Sequence, residues 1–74
     1  MKAVMLTSDS CEPCAQMKES FADLIKSGEV QELNFEQNPD AVVQMMNKYP
    51  EDAEIPSILI LSNANELIVA LKHS

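Results

Sequence analysis

A chain of 74 residues, 46% of them apolar, can build one small domain over residues 1–74 and is too apolar to be disordered. Twelve acidic residues against five lysines and no arginine give a net charge of −7, which excludes a general nucleic-acid binder and disfavours anionic membranes. The longest apolar run has five residues and the N-terminal segment lacks a signal-peptide pattern, so we expect a cytoplasmic protein without a membrane-spanning helix.

The first two predicted elements are a strand and a long helix. The continuous apolar run 3–6 is typical of a strand that is buried on both faces. Apolar side chains then recur at helical spacing, with charged side chains between them, and predict a helix over 11–27. Ser10 is the expected N-cap, Pro13 fits the first turn because a proline there loses no hydrogen bond, and Gly28 suits a left-handed C-terminal cap.

A second strand and a second helix follow. Alternation over 30–36 predicts the strand and puts Leu33 and Phe35 on one face. The segment 38–40, Asn-Pro-Asp, combines a cap, a proline at the first helical position and an acid in the first turn, so it predicts a helix start. Pro50 predicts the end of this helix.

Two further strands complete the predicted sheet. Segments 57–61 and 67–71 are apolar, and the polar loop between them has the composition of a hairpin. The element order is therefore β-α-β-α-β-β, in which the first two strands are parallel because a helix connects them. The predicted fold class is α/β, with a four-stranded mixed sheet and the two cysteines at the C-terminal end of the first strand.

The two cysteines, Cys11 and Cys14, are separated by two residues. A disulfide that closes so short a loop stabilises a protein by only about 2 kcal/mol in the chain-entropy model. A purely structural role therefore does not account well for the pair. A redox role fits better, because the pair lies at the start of an amphipathic helix that follows a strand. Unpaired N–H groups and the helix dipole favour the Cys11 thiolate and make it the nucleophile. Cys14, one turn later, is the resolving thiol, and Pro13 stiffens the turn between them.

Two acidic residues modify the expected chemistry of this pair. Asp9 and Glu12 lie close to Cys11 in the sequence. A carboxylate about 6 Å away in water costs a thiolate roughly 0.7 kcal/mol, which partly cancels the effect of the helix dipole. We therefore expect the Cys11 thiolate to be only slightly more stable than that of a free cysteine, as suits a reductant rather than an oxidant.

Three segments of the chain, 11–14, 33–39 and 55–61, carry a resemblance to a known family. Cys-Glu-Pro-Cys over 11–14 resembles the Cys-Gly-Pro-Cys motif of thioredoxin. Leu-Asn-Phe-Glu-Gln-Asn-Pro over 33–39 is similar to the link between thioredoxin's central strand and its next helix, and the third segment is similar to its Ile-Pro-Thr and following strand. The chain thus resembles the thioredoxin and glutaredoxin superfamily, which implies a thioredoxin-like fold, here of glutaredoxin size.

The resemblance also implies a substrate-binding turn. It implies that the Ile55–Pro56 peptide bond is cis and that this turn lies beside the dithiol. Ile55 would pair its backbone with an extended segment of substrate, and Pro56, which has no N–H, would keep the turn open. The predicted substrate-binding residues are therefore Glu12, Ile55 and Pro56. No metal or other cofactor is implied beyond the reversible Cys11–Cys14 disulfide.

Some positions depart from the family pattern. Ser10 stands where thioredoxin has a tryptophan. Met5 and Glu32 stand where it has a buried aspartate and its lysine partner, so the usual proton relay beneath the second cysteine is missing. We predict that Glu32 reaches Cys14 and acts as its acid and base. The alternative is that Glu32 is an exposed strand residue.

The C-terminal part of the chain also departs from the family. The sequence stops soon after the last predicted strand, so the third, C-terminal helix of the family is expected to be absent. Segment 67–71 has apolar residues on both faces, and one face would then be exposed. Exposed apolar patches usually mark an interface, which predicts a weak homodimer or a docked partner.

The predicted function is that of a cytoplasmic thiol–disulfide oxidoreductase, a dithiol reductant of protein disulfides in electron transport. The resemblance implies ribonucleotide reductase among the substrates and a flavin-dependent thioredoxin reductase as electron donor. A glutathione-dependent glutaredoxin is an alternative, although the chain has no arginine to hold the tripeptide's carboxylates. Two further alternatives are a redox-independent binding module on the same fold and a metal carrier. For the latter, Cys11, Cys14 and His73 are fewer than the four ligands of a structural zinc site.

Overall fold

The computed structural model describes residues 1–72, so His73 lies outside the described residues. The strands and helices, in chain order, are β1 (Lys2–Thr7), α1 (Glu12–Ser20), α2 (Ala22–Ser27), β2 (Val30–Asn34), α3 (Pro39–Lys48), β3 (Ser57–Leu61) and β4 (Leu67–Lys72). Each predicted strand is present, with its ends within two residues of the expected positions. The mixed α/β class is therefore confirmed.

The four strands form an open mixed sheet in the order β2-β1-β3-β4. β1 is parallel to β2, as the helical connection between them predicts, and β3 is antiparallel to both β1 and β4. In the β1–β3 register, Leu6 lies opposite Ser57. The end of β1 and the start of β3 therefore lie at the same end of the sheet.

Two apolar clusters, one on each face of the sheet, form the core. Val4 and Leu6 of β1 belong to the cluster with Val42 of α3, whereas Met5 belongs to the cluster with Met17 of α1. β1 contributes to both clusters because successive side chains of a strand point to opposite faces. Met5 and Leu6 are fully buried, and each such side chain contributes about 1.5–3 kcal/mol of hydrophobic stabilisation. The strand that leads to the cysteines is thus held from both faces.

The single helix predicted over 11–27 is wrong in one respect, because the chain bends at Phe21 and forms two helices. Phe21 has a φ of −113° and a ψ of 21°, outside the helical region, and its N–H donates to the carbonyl of Met17. Phe21 and Ile25 both pack against the cluster of Met5. The sequence has neither glycine nor proline at this bend, so no local signal predicts it. The bend coincides with the packing of Phe21 against the cluster of Met5.

β2 is shorter than the predicted range 30–36, since it ends at Asn34. Asn34 is 7% exposed, and its side-chain carbonyl accepts the N–H groups of Glu36 and Gln37. These hydrogen bonds turn the chain out of the sheet. Phe35, which the alternation predicts for a buried strand face, is consequently 38% exposed.

The end of α2 and both ends of α3 agree with the predicted signals. Gly28 follows α2 in the left-handed conformation, and α3 begins at Pro39 and ends before Pro50. β4 ends at Lys72, the last described residue. Within residues 1–72, no helix is both long and apolar enough to cross a lipid bilayer.

Replacing Gly28 by alanine is expected to destabilise the fold by about 1 kcal/mol, because an L residue is strained at a φ of 87°. An added Cβ would meet no atom within 4 Å, so the cost arises from backbone conformation alone. Gly28→Asn is the matched control, since asparagine tolerates this conformation and should lose less stability. Urea denaturation measures the difference. Equal stability of Gly28→Ala and the parent chain would contradict the role of the cap.

Candidate functional site

The two cysteines are joined in a disulfide at the start of α1. Their Cα atoms are 5.2 Å apart, within the usual range for a disulfide. β1 ends at Thr7 and α1 begins at Glu12, so a short loop carries the pair from the buried strand to the helix. The predicted pairing of Cys11 with Cys14 is confirmed.

The two cysteines differ in their access to solvent. Cys14 is 1% exposed, whereas Cys11 is only partly buried. Cys11 is also the N-cap of α1, and its Sγ accepts the backbone N–H of Cys14 at 3.1 Å. Sulfur therefore takes the place of a capping oxygen, where helix N–H groups stabilise negative charge. The prediction of Ser10 as the N-cap is wrong by one residue.

Glu12 and Pro13 form the first turn of α1. Pro13 lies at the start of the helix, where its missing N–H leaves no carbonyl unpaired. Glu12 is exposed in the same turn and adds negative charge next to Cys11. Both residues therefore belong to the turn that links the two cysteines.

The buried side-chain amide of Asn34 connects the loop before Cys11 to the loop after β2 through hydrogen bonds. Asn34 Nδ2 donates to the Asp9 carboxylate at 2.9 Å. The Oδ1 of the same side chain accepts the N–H groups of Glu36 at 3.0 Å and Gln37 at 3.1 Å. Asn34 thus holds both loops, and the backbone that leads to Cys11 is anchored to β2.

Glu36 provides a second connection between the same two loops. Its Oε1 accepts the Ser8 hydroxyl at 2.9 Å and the Asp9 backbone N–H at 2.5 Å. The backbone adds a third connection, since the Phe35 N–H donates to the Thr7 carbonyl at 2.8 Å. The end of β1 and the loop after it are therefore held by both main-chain and side-chain hydrogen bonds.

Glu32 lies in β2, opposite Met5 in the parallel register. Its Oε2 accepts the hydroxyl of Thr7 at 2.7 Å and lies 3.4 Å from the Lys18 Nζ. Among the side-chain hydrogen bonds of residues 1–72, none joins Glu32 to Cys14. Glu32 thus connects β2 to β1 and α1, and its acid/base role stays a prediction.

The Ile55–Pro56 peptide bond is cis, as predicted. Ser57, which is fully buried, stabilises this turn: its Oγ donates to the Glu54 carbonyl at 2.7 Å and accepts the Glu54 N–H at 3.1 Å. Pro56 is buried as well, and Ile55 is partly buried. Because Ser57 pairs with the end of β1, the cis-proline turn lies at the sheet end from which the dithiol loop leaves.

The loops around the dithiol are acidic. Asp9, Glu12 and Glu36 all belong to the loops or the helix turn that adjoin Cys11. Their charge disfavours the approach of negatively charged substrates. Among residues 1–72, no group of three or more histidine, cysteine, aspartate and glutamate side chains is arranged to hold a metal ion.

Four residues that shape this region were not predicted from the sequence: Thr7, Asn34, Glu36 and Ser57. Ser57 gave a usable signal, because a polar residue inside a predicted buried strand must find hydrogen-bond partners there. Asn34 gave none, since the alternation places it on the polar face of the predicted strand. Thr7 and Glu36 gave none. Their partners lie 25 or more residues away in the chain, and only the folded chain brings them together.

Replacing Asn34 by alanine is expected to lower the free energy of unfolding by about 2 kcal/mol, because two backbone N–H groups and the Asp9 carboxylate lose their partner. Gln37→Ala removes an exposed amide from the same loop and is the control, with an expected effect within about 0.5 kcal/mol. Urea denaturation measures both. If the two variants lost equal stability, the anchoring role of Asn34 would be wrong.

Comparison with known proteins gives no match to a family model and none to a curated sequence. What the site can do chemically therefore follows from its own residues. Cys11 and Cys14 lie close together at a helix N-terminus, and one is partly accessible whereas the other is buried. Such a pair supports two-electron exchange between a dithiol and a disulfide.

Proposed function

We propose that this protein is a thiol–disulfide oxidoreductase with a thioredoxin-like fold, which reduces disulfides in other proteins. The observation that carries the proposal is the Cys11–Cys14 disulfide at the N-terminus of α1, with one partly accessible cysteine and one buried. The cis-proline turn at the same end of the sheet supports it. A structural crosslink explains the pair less well, because closing so short a loop adds little stability.

The first step is nucleophilic attack by Cys11. In the reduced protein, the Cys11 thiolate attacks one sulfur of the substrate disulfide. The substrate S–S bond breaks, a new S–S bond joins Cys11 to the substrate, and the other substrate sulfur leaves as a thiolate that takes a proton from water. The Cys14 N–H that donates to the Cys11 Sγ favours the attacking thiolate.

Cys14 then resolves the mixed disulfide. Its thiol loses a proton and its sulfur attacks the Cys11 Sγ, so that the mixed disulfide breaks and the second substrate sulfur leaves and is protonated. The substrate gains two electrons and two protons, and the protein ends in the Cys11–Cys14 disulfide state. Because Cys14 is buried one turn away, it meets the mixed disulfide at high effective concentration and is shielded from other disulfides.

We propose that the substrate binds at the cis-proline turn. Ile55 is only partly buried, so its backbone can pair with an extended segment of the partner protein. Pro56 has no N–H to compete for that segment, and the buried Ser57 holds the turn in shape. Glu12, exposed between the cysteines, would contact the substrate from the opposite side of the disulfide.

The proposed compartment is the cytoplasm, where a reducing environment returns such a pair to the dithiol. A flavin-dependent thioredoxin reductase is the proposed electron donor, and ribonucleotide reductase is proposed among the substrates. Glutathione fits less well as the donor. It is negatively charged, whereas the chain has a net charge of −7 and carries acidic residues around Cys11.

Thiol trapping across a series of dithiothreitol and glutathione buffers tests the proposal. We expect the Cys11–Cys14 disulfide to be half reduced near the thioredoxin potential of about −270 mV, because the nearby carboxylates limit stabilisation of the thiolate. A value near −200 mV would instead favour a glutaredoxin. If no intramolecular disulfide formed at any potential, the proposed function would be wrong.

Two single-cysteine variants complete this experiment. Cys11→Ser should abolish reduction of a protein disulfide, while Cys14→Ser should keep the attack and accumulate the mixed disulfide. If the parent chain reduced no protein disulfide and Cys11→Ser still bound a partner with unchanged affinity, the chain would be a redox-independent binding module.

Replacing Glu32 by glutamine is expected to slow the resolution step on the order of 10²-fold, because an amide cannot accept the Cys14 proton. Stopped-flow decay of the mixed disulfide measures this step directly. Glu19→Gln removes an exposed carboxylate from α1 and is the control, with resolution at the parent rate. If Glu32→Gln also resolved at the parent rate, the acid/base role would be wrong and Glu32 would be a strand residue that contacts Thr7 and Lys18.

A further inference from the structure

The charges of this chain are divided between the two ends of the sheet. Lys2 begins β1, at the end opposite the dithiol, and Lys26 lies in the last turn of α2, shortly before β2 begins. Lys48, in the last turn of α3, lines a cavity together with Lys2. Because β1 and β2 are parallel, these three lysines lie at the end of the sheet opposite Cys11.

Three exposed carboxylates lie at the dithiol end of the sheet. Glu12 directly follows Cys11, and Asp9 precedes Cys11 by two residues, which puts the Cα atoms of Asp9 and Cys11 within about 7 Å. Glu36 accepts the Asp9 N–H at 2.5 Å. Within residues 1–72, none of the three carboxylates forms a salt bridge. The hydrogen-bond donors to Asp9 and Glu36 are neutral groups, so their negative charge is not compensated there.

The cis-proline turn, at the same end of the sheet, also carries excess negative charge. The Lys72 Nζ lies 3.8 Å from a carboxylate oxygen of Glu54 and 3.9 Å from one of Asp52. One ammonium group therefore faces two carboxylates. The remaining lysine, Lys18, lies 3.4 Å from Glu32 and balances that carboxylate. Both segments that a substrate would meet, the dithiol turn and the cis-proline turn, are consequently acidic.

An exposed aromatic side chain belongs to the same group of loops. Phe35 directly precedes Glu36 and is 38% exposed, and its backbone N–H donates to the Thr7 carbonyl at the end of β1. Lysine and arginine side chains pack their apolar stems or cationic heads on aromatic rings while the charge stays near acidic groups. The loop after β2 therefore presents both an apolar surface and an uncompensated carboxylate beside the dithiol loop.

A separation of charge of this kind discriminates between substrates. In water, a carboxylate about 10 Å from a unit charge changes the rate of encounter at low salt by about twofold. It attracts a cation and repels an anion to the same extent, so one carboxylate separates two oppositely charged substrates by about fourfold. The opposite end of the sheet carries the lysines, so the field also directs the dithiol end toward a cation.

We propose that the dithiol acts preferentially on disulfides that are flanked by lysine or arginine residues, and that Glu12 and Glu36 select them. This inference rests on the proposed oxidoreductase function, because it names the substrate class of the same two cysteines. The accessible Cys11 and the cis-proline turn define the site, and the carboxylates determine which disulfides reach it fastest. The exchange steps and their electron balance are unchanged.

Two peptides of equal length test the preference. Each has one disulfide, with either lysine or glutamate placed three residues outside each cysteine. The full chain, reduced beforehand and freed of reductant, is mixed with excess peptide, and the second-order rate constant of a single turnover is measured. The lysine-to-glutamate ratio is divided by the same ratio for the neutral reductant β-mercaptoethanol, which corrects for the intrinsic reactivity of the peptides. We expect a corrected ratio on the order of tenfold at about 10 mM salt and below about twofold at about 1 M.

Three glutamine variants locate the selection. Glu12→Gln and Glu36→Gln should each lower the corrected ratio by about fourfold, because each removes one carboxylate near Cys11. Glu66→Gln is the matched control, since Glu66 is exposed and lies at the opposite end of the sheet, next to the pairing of Leu67 with Leu61. It removes the same charge from the chain and should change the ratio by less than about twofold. A ratio is compared throughout, so a change in the reactivity of Cys11 itself cancels.

Reduction of both peptides with a corrected ratio near one would overturn the proposal and leave the oxidoreductase function standing. Reduction of neither peptide would instead count against the oxidoreductase function, and this proposal would fall with it. If Glu66→Gln lowered the ratio as much as Glu12→Gln and Glu36→Gln, net charge rather than these two carboxylates would select the substrate. The assignment to Glu12 and Glu36 would then be wrong.

Discussion

The positions of the dithiol and of the loops around it depend on the burial of β1 in the middle of the sheet. β1 has a parallel partner in β2 and an antiparallel partner in β3, and its side chains enter the apolar clusters on both faces. A strand held in this way cannot slip by one residue without exchanging its buried faces. The C-terminal end of β1 is therefore a fixed point from which a short loop reaches Cys11.

Polar contacts extend this rigidity from β1 to the cysteines. Asn34 and Glu36 tie the loop before Cys11 to the loop after β2, and Ser57 holds the cis-proline turn on the other side. Disulfide exchange requires the attacking sulfur, the resolving sulfur and the substrate to be held in line, so such restraint would favour the proposed reaction. The carboxylates of Asp9 and Glu36 also make the potential around the site negative, which would disfavour negatively charged substrates of the proposed reaction.

The two faces of the sheet are covered unequally. α3 covers one face, whereas α1 and α2 leave a groove on the other, lined by residues of all four strands. Small chains bury a lower fraction of their surface than large ones, and here the unburied remainder is concentrated at β4.

Local signals in the sequence determined the strands, the start of α3 and the pairing of Cys11 with Cys14, because alternation, caps, prolines and spacing act over only a few residues. The cis bond before Pro56 followed from resemblance to a family. Tertiary structure decided the bend at Phe21 and the polar partners of Asn34 and Glu32. These features depend on packing and hydrogen bonds between residues that are far apart in the chain. A local sequence pattern does not determine such contacts.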